Sequence, residues 1–105
     1  MARETKGVKM NRKVKSLYTF VFDWEGGTYI SQVEARHPKE AYRNWAKQLE
    51  IQYIPGFTEA MRQEVQNAIE TDDATPLEGL TNAWCFTVLI SDKFGMGNII
   101  KTERQ

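Results

Sequence analysis

The chain has 105 residues, of which 41% are hydrophobic and 27% are charged, and its formal net charge at pH 7 is zero. This length and composition are typical of one globular domain and exclude an intrinsically disordered chain. The single cysteine, Cys85, excludes an internal disulfide and favours a reducing, cytoplasmic setting. No apolar run reaches the length of a membrane span, so we expect no membrane association.

Positive charge is concentrated in residues 1–15, which we interpret as a flexible basic arm preceding a single domain at residues 16–105. The arm contains six basic residues and one acidic residue, which is a net charge of +5, and the remainder of the chain carries −5. Such an arm favours contact with phosphate groups, of low sequence specificity. The candidate residues for nucleic-acid binding are Lys6, Lys9, Arg12, Lys13 and Lys15.

The segment 16–36 predicts a β-hairpin, because aromatic and polar residues alternate before Gly26-Gly27. A two-residue turn at these glycines would place Trp24 opposite Tyr29. One face then carries the aromatic residues and is suited to a core. The other face is mostly polar but includes Val21 and Ile30.

Two helices are predicted next. Pro38 suits the first helical position with His37 near the N-cap, and apolar residues then recur at helical spacing up to Leu49. Thr58 is a suitable N-cap for a second helix that ends near Thr71.

The C-terminal third predicts two more strands. Residues 82–91 form a strand in which both faces are fairly apolar, residues 91–98 form a loop containing Gly95 and Gly97, and residues 99–102 form a short closing strand. The whole chain therefore predicts an α+β fold of order β-β-α-α-β-β. We expect a four-stranded, mainly antiparallel sheet with both helices on one face, and the strand order stays open.

No group of residues predicts catalysis, cofactor binding or metal binding. His37 and Cys85 are the only histidine and cysteine, and a thiol within an apolar strand is usually inert. Gly95-Met96-Gly97 lacks the third glycine and the following helix of a nucleotide-binding loop. We therefore assign no catalytic, cofactor or metal residue and expect a protein that is not an enzyme.

The hairpin and its junction with the helix, His37-Pro38-Lys39-Glu40-Ala41, resemble the hairpin and Glu-Ala helix start of HicB-type antitoxin domains. The proline-and-glycine segment typical of that family is replaced here by residues 33–36. No residue role is carried over from the resemblance.

The leading hypothesis is a protein-interaction domain that acts as a homodimer or as a regulator or inhibitor of a protein partner. It depends on apolar residues that we expect on the solvent-exposed face of the sheet and on aromatic residues at the tip of the hairpin. The candidate residues are Val21, Ile30, Leu89, Trp24 and Tyr29. The alternatives are nucleic-acid binding through the basic arm and a domain that binds a small molecule.

Overall fold

The computed structural model describes residues 14–103, which form an antiparallel sheet with two α-helices on one of its faces. The elements are β1 (Ser16–Trp24), β2 (Gly27–Ala35), α1 (Pro38–Gln48), a 3-10 turn (Ile51–Tyr53), α2 (Glu59–Thr71), β3 (Thr75–Pro76), β4 (Ala83–Ile90) and β5 (Lys93–Thr102). The strand order across the sheet is β2-β1-β5-β4-β3. The α+β class with two helices and an antiparallel sheet is therefore confirmed.

Within residues 14–103, the sheet has five strands instead of the expected four. The additional strand, β3, consists of only two residues, Thr75 and Pro76, which pair with Cys85 and Trp84 of β4. A strand this short has no alternating pattern in the sequence. Its proline lacks an N–H group, which is tolerated because β3 lies at the edge of the sheet.

The last strand is also longer than expected, since β5 begins at Lys93. The expected glycine loop is therefore wrong, and Gly95 and Gly97 lie inside the strand. The connection from β4 is instead a two-residue turn at Ser91 and Asp92, which both have positive φ angles, 49° and 67°. Glu64 of α2 accepts hydrogen bonds from the Ser91 N–H, at 2.8 Å, and from its hydroxyl group.

The two glycines of β5 are needed because aromatic rings lie directly over them. A Cβ atom at Gly95 would be 2.8 Å from the Phe22 ring, and one at Gly97 would collide with the Phe86 ring. β5 separates β1 from β4 in the sheet. The Phe22 and Phe86 rings nevertheless stack at a centroid distance of 6.2 Å, because no side chain of β5 stands between them.

Trp45 of α1 is the centre of the aromatic core. Its ring stacks on Phe20 at a centroid distance of 5.2 Å, and it contacts Phe22 and Phe86, each at 5.1 Å. The side chain is 1% exposed. This one residue thus joins α1 to both β1 and β4.

The first hairpin has a different register from the expected one. Its turn residues are Glu25 and Gly26, so that Trp24 pairs with Gly27 and Phe22 pairs with Tyr29. The register is displaced by two residues, and because side chains alternate with a period of two, every residue that lies in a strand in both registers keeps its predicted face. Gly27 leaves room for the Tyr29 ring. A Cβ atom at position 27 would lie only 2.6 Å from the Tyr29 hydroxyl oxygen.

Both helices begin where the sequence predicts. His37 is the N-cap of α1, and its Nδ1 accepts the Glu40 N–H at 3.2 Å; Thr58 is the N-cap of α2, and its Oγ1 accepts the Met61 N–H at 3.2 Å. Among the described residues, no helix is both long enough and apolar enough to cross a membrane.

A basic side chain from each helix caps the C-terminus of the other helix. Arg62 of α2 donates from Nη1 to the carbonyl oxygens of Ala46, at 2.7 Å, and Lys47, at 3.0 Å. Lys39 of α1 donates to the carbonyl oxygen of Ile69 at 2.5 Å. Both cations satisfy carbonyl groups that have no partner within a helix, and they also oppose the negative end of the helix dipole.

A bidentate contact holds the junction between β2 and α1. The Glu40 carboxylate accepts the Arg36 backbone N–H and the Arg36 Nη2, each at 2.6 Å. The hydrogen bonds from the Arg36 side chain and backbone lower the pKa of Glu40 from 4.5 to about 2. With the His37 cap, this contact resembles a capping box that is displaced by one residue.

We expect Gly97→Ala to destabilise the fold. Because the new methyl group would meet the Phe86 ring and the Val21 carbonyl oxygen, the free energy of unfolding should fall by about 1–3 kcal/mol, measured by urea denaturation. A second substitution, Phe86→Leu, should compensate for part of the loss, because it removes the ring that the methyl group meets. A Gly97→Ala variant as stable as the wild type would contradict the close packing at β5.

Arg62→Met should lower the free energy of unfolding by about 1–3 kcal/mol, because two helix-terminal carbonyl groups lose a charged donor. Arg43→Met is the matched control. Arg43 pairs with Glu70 at 3.1 Å on the exposed surfaces of the same two helices, where such a pair contributes little. Equal losses in the two variants, in parallel thermal and urea denaturation, would refute the capping role of Arg62.

The Glu40 contact predicts a pH-dependent contribution to stability. Because the pKa of Glu40 is lower in the folded chain, its stabilising effect is present above pH 4.5 and is lost as the pH falls towards about 2. The stability difference between the wild type and Glu40→Gln, measured by urea denaturation, should shrink over that interval. Arg36→Gln should show a smaller difference with the same course, since the backbone hydrogen bond remains. A difference that does not change with pH would contradict this assignment.

Candidate interaction surfaces

The face of the sheet that points away from the two helices is the first candidate surface, and we call it the open face. The helices bury their apolar residues against the opposite face, where they join one core cluster with the aromatic residues of β1. Among the described residues, five large apolar side chains are exposed on the open face. They are Ile30 (68%), Leu89 (51%), Phe94 (68%), Met96 (59%) and Ile100 (37%).

The strand register brings these residues into neighbouring rows. Leu89 pairs directly with Phe94, and Met96 follows two residues later on the same face of β5. In a second row, Val21 of β1 pairs with Ile30 of β2 on one side and with Asn98 on the other. The residues predicted from the sequence, Val21, Ile30 and Leu89, thus share the open face.

Sequence reasoning missed Phe94 and Met96, because it assigned them to a loop. On the open face of β5, Phe94 pairs with Leu89 of β4, and Met96 lies between Thr87 of β4 and Asp23 of β1. The alternation of these two residues with Gly95 and Gly97 was the available signal. A glycine on every second position marks an inner face on which another group approaches closely.

Charged residues with polar partners lie around the apolar rows. Asp23 accepts a hydrogen bond from the Thr28 hydroxyl group at 2.6 Å. Glu25, in the hairpin turn, pairs with Lys93 at 3.0 Å. Because these charged side chains already have partners, less free energy is lost when another apolar surface covers the open face.

The tip of the first hairpin does not provide the two expected aromatic contacts. Trp24 is buried and packs edge-on against Phe57 at a centroid distance of 5.7 Å. Tyr29 is half-buried, and its ring lies across Gly27 on the helix side of the sheet. Trp24 therefore belongs to the core, and only Tyr29 contributes to a surface.

A cleft of about 580 Å³ is the second candidate surface. It lies on the helix side of the sheet, between β2 and the segment after α1, and is lined by Tyr29, Ser31, Val33, Trp45, Glu50 and Tyr53 among others. Ser31 faces this side but is exposed. Because its side chain is small and lies between Tyr29 and Val33, it leaves the space that a larger residue would fill.

Other predicted residues do not form a site with one another. His37 caps α1 through Nδ1, and Cys85 lies half-buried on the open face of β4. Within residues 14–103, no group of three or more histidine, cysteine or acidic side chains is arranged to hold a metal ion. Of the basic arm's candidates, only Lys15 is described and it is exposed; Lys6, Lys9, Arg12 and Lys13 lie outside the described residues.

Comparison with known proteins assigns no relative. No protein-family model matches the chain, and neither the curated proteins nor the solved structures provide a match.

Proposed function

We propose that this chain is a protein-interaction domain whose open face binds a second copy of the chain. The observation that supports this most directly is the contiguous group of exposed apolar residues on the sheet, Leu89, Phe94 and Met96. Isolated surface hydrophobes are common in monomers, but a contiguous apolar group bordered by polar residues is typical of an interface. Phenylalanine and methionine are also enriched at such interfaces.

The size of the open face fits a dimer. Four strands about 4.8 Å apart and about nine residues long, at about 3.3 Å per residue, give a projected area of roughly 600 Å². The accessible area of protruding side chains exceeds the projected area and approaches the roughly 800 Å² per partner of a standard interface. Two copies related by a two-fold axis would stack their sheets face to face and bury the same residues on each side.

The charges on this face favour a protein partner over nucleic acid. Asp23 is an exposed carboxylate on the open face, and Glu25, at the border of this face, pairs with Lys93. Carboxylates repel the phosphate backbone. A nucleic-acid interface of the usual basic character is therefore not supported by the described part of the sheet.

The proposal predicts a dimer in solution that a charge on the open face disrupts. Light scattering coupled to size-exclusion chromatography should give twice the 12.2 kDa mass of the chain. Leu89→Lys should weaken the dimer at least about a hundredfold, because both copies carry the change and burial of each leucine stabilises by about 1.5–3 kcal/mol.

Leu80→Lys is the matched control for this experiment. Leu80 is 62% exposed, like Leu89, but it lies in the segment between β3 and β4 and not on the sheet. The same substitution there should leave the mass unchanged. A wild-type chain that stays monomeric at the highest attainable concentration, or equal effects of the two substitutions, would refute the proposal.

A further inference from the structure

We propose that the outer edge of β2 and the adjoining cleft form a second binding site, which takes an extended segment of another protein as an added strand. This site is distinct from the open face. It uses the backbone of the edge strand and the helix side of the sheet, whereas the proposed dimer uses the opposite side.

The backbone of β2 leaves hydrogen-bonding groups at the edge of the sheet. The two-residue turn makes Trp24 and Gly27 a hydrogen-bonded pair, and such pairs alternate along an antiparallel ladder. The N–H and C=O groups of Thr28, Ile30 and Gln32 consequently point away from β1, and no other strand of the described residues pairs with β2 on that side.

Helix α1 occupies one end of the outer edge of β2. Beyond Gln32, the carbonyl oxygen of Glu34 accepts a hydrogen bond from Asn44 Nδ2 of α1 at 3.1 Å. The helix therefore occupies this end of β2. The open part of the edge, from Thr28 to Gln32, is the part that borders the cleft. Along this part of the edge, the three alternate residues Thr28, Ile30 and Gln32 have outward-pointing N–H and C=O groups. A short added strand can pair with them.

The cleft provides a place for the side chains of that strand. Side chains of an added strand alternate between the two faces of the sheet, so every second one would lie on the helix side, next to Tyr29, Ser31 and Val33. Tyr53 is 69% exposed at the cleft and offers an aromatic surface. Tyrosine in such a position is typical of residues that anchor a bound partner.

The residues that line the cleft indicate the character of the occupant. Tyr29, Val33 and Trp45 make part of the lining apolar, which favours an apolar side chain there. The one charged residue in the described lining is Glu50. We therefore infer a peptide with an apolar central residue and a basic residue beside it.

The test begins with selection of random displayed peptides on the wild-type protein, followed by calorimetry with the selected peptide. Ser31→Phe fills the cleft and should weaken binding at least about tenfold, since interface anchors contribute this much. Gln32→Pro removes one outward N–H and should weaken binding about three- to tenfold, the value of one net hydrogen bond. A proline is tolerated at an edge position whose N–H points outward.

Matched variants distinguish the loss of the edge N–H from the loss of a side chain. Gln32→Ala loses the same side chain as Gln32→Pro but keeps the N–H, and it should bind the peptide like the wild type. Leu89→Lys changes the open face and should also leave peptide binding unaltered, so the two proposals fail independently. Circular dichroism and thermal denaturation establish that each variant is folded.

Three results would overturn the inference. They are selection that yields no binding peptide, a peptide that binds Ser31→Phe as tightly as the wild type, and equal binding by Gln32→Pro and Gln32→Ala. Self-association that is lost in Gln32→Pro but retained in Leu89→Lys would show that the edge pairs with a second copy, and it would also overturn the inference.

Discussion

The fold depends on the contact between aromatic rings from two strands that are not neighbours. Phe22 of β1 and Phe86 of β4 stack across β5, and they do so because Gly95 and Gly97 present no side chain in between. Trp45 then covers both rings from the helix side. This arrangement explains why a glycine-containing segment is a central strand, although glycine normally weakens strands. It also explains the open face, because the residues that alternate with these glycines, Phe94 and Met96, must point to the other side.

The two candidate surfaces result from the same core. On the open face, Phe94 and Met96 point outward because they alternate with the inward-facing Gly95 and Gly97. On the helix side, α1 packs over the aromatic cluster but leaves β2 uncovered around the exposed Ser31, where a cleft lies between β2 and the segment after α1. The first surface is broad, apolar and bordered by paired charges, which suits a flat partner such as a second copy. The second is a narrow strand edge beside a recess, which suits an extended peptide.

Some features of the structure could be predicted because their causes are local. The N-caps His37 and Thr58 are recognisable from the residue type and from the helical spacing of the apolar residues after them, and the hydrogen bonds at both positions confirm the predicted starts. The faces of the first hairpin were predicted even though its turn was misplaced, since a displacement by two residues preserves the face of every residue that lies in a strand in both registers. The two-residue strand β3 and the course of β5 were not predictable in this way. The first is too short to show a period, and the second contains glycines that are equally typical of a loop.

The sequence by itself determined the α+β class, the two amphipathic helices and the polarity of the hairpin faces, because each depends on propensity and periodicity within one segment. The tertiary structure decided which strands are neighbours, which glycines lie in strands and which apolar residues are exposed together. These features depend on contacts between residues far apart in the chain, such as the Phe86 ring over Gly97 of the adjacent strand and Trp45 over the hairpin. The burial of Trp24 and the exposure of Phe94 have the same origin: each side chain's surroundings are supplied by other elements of the fold.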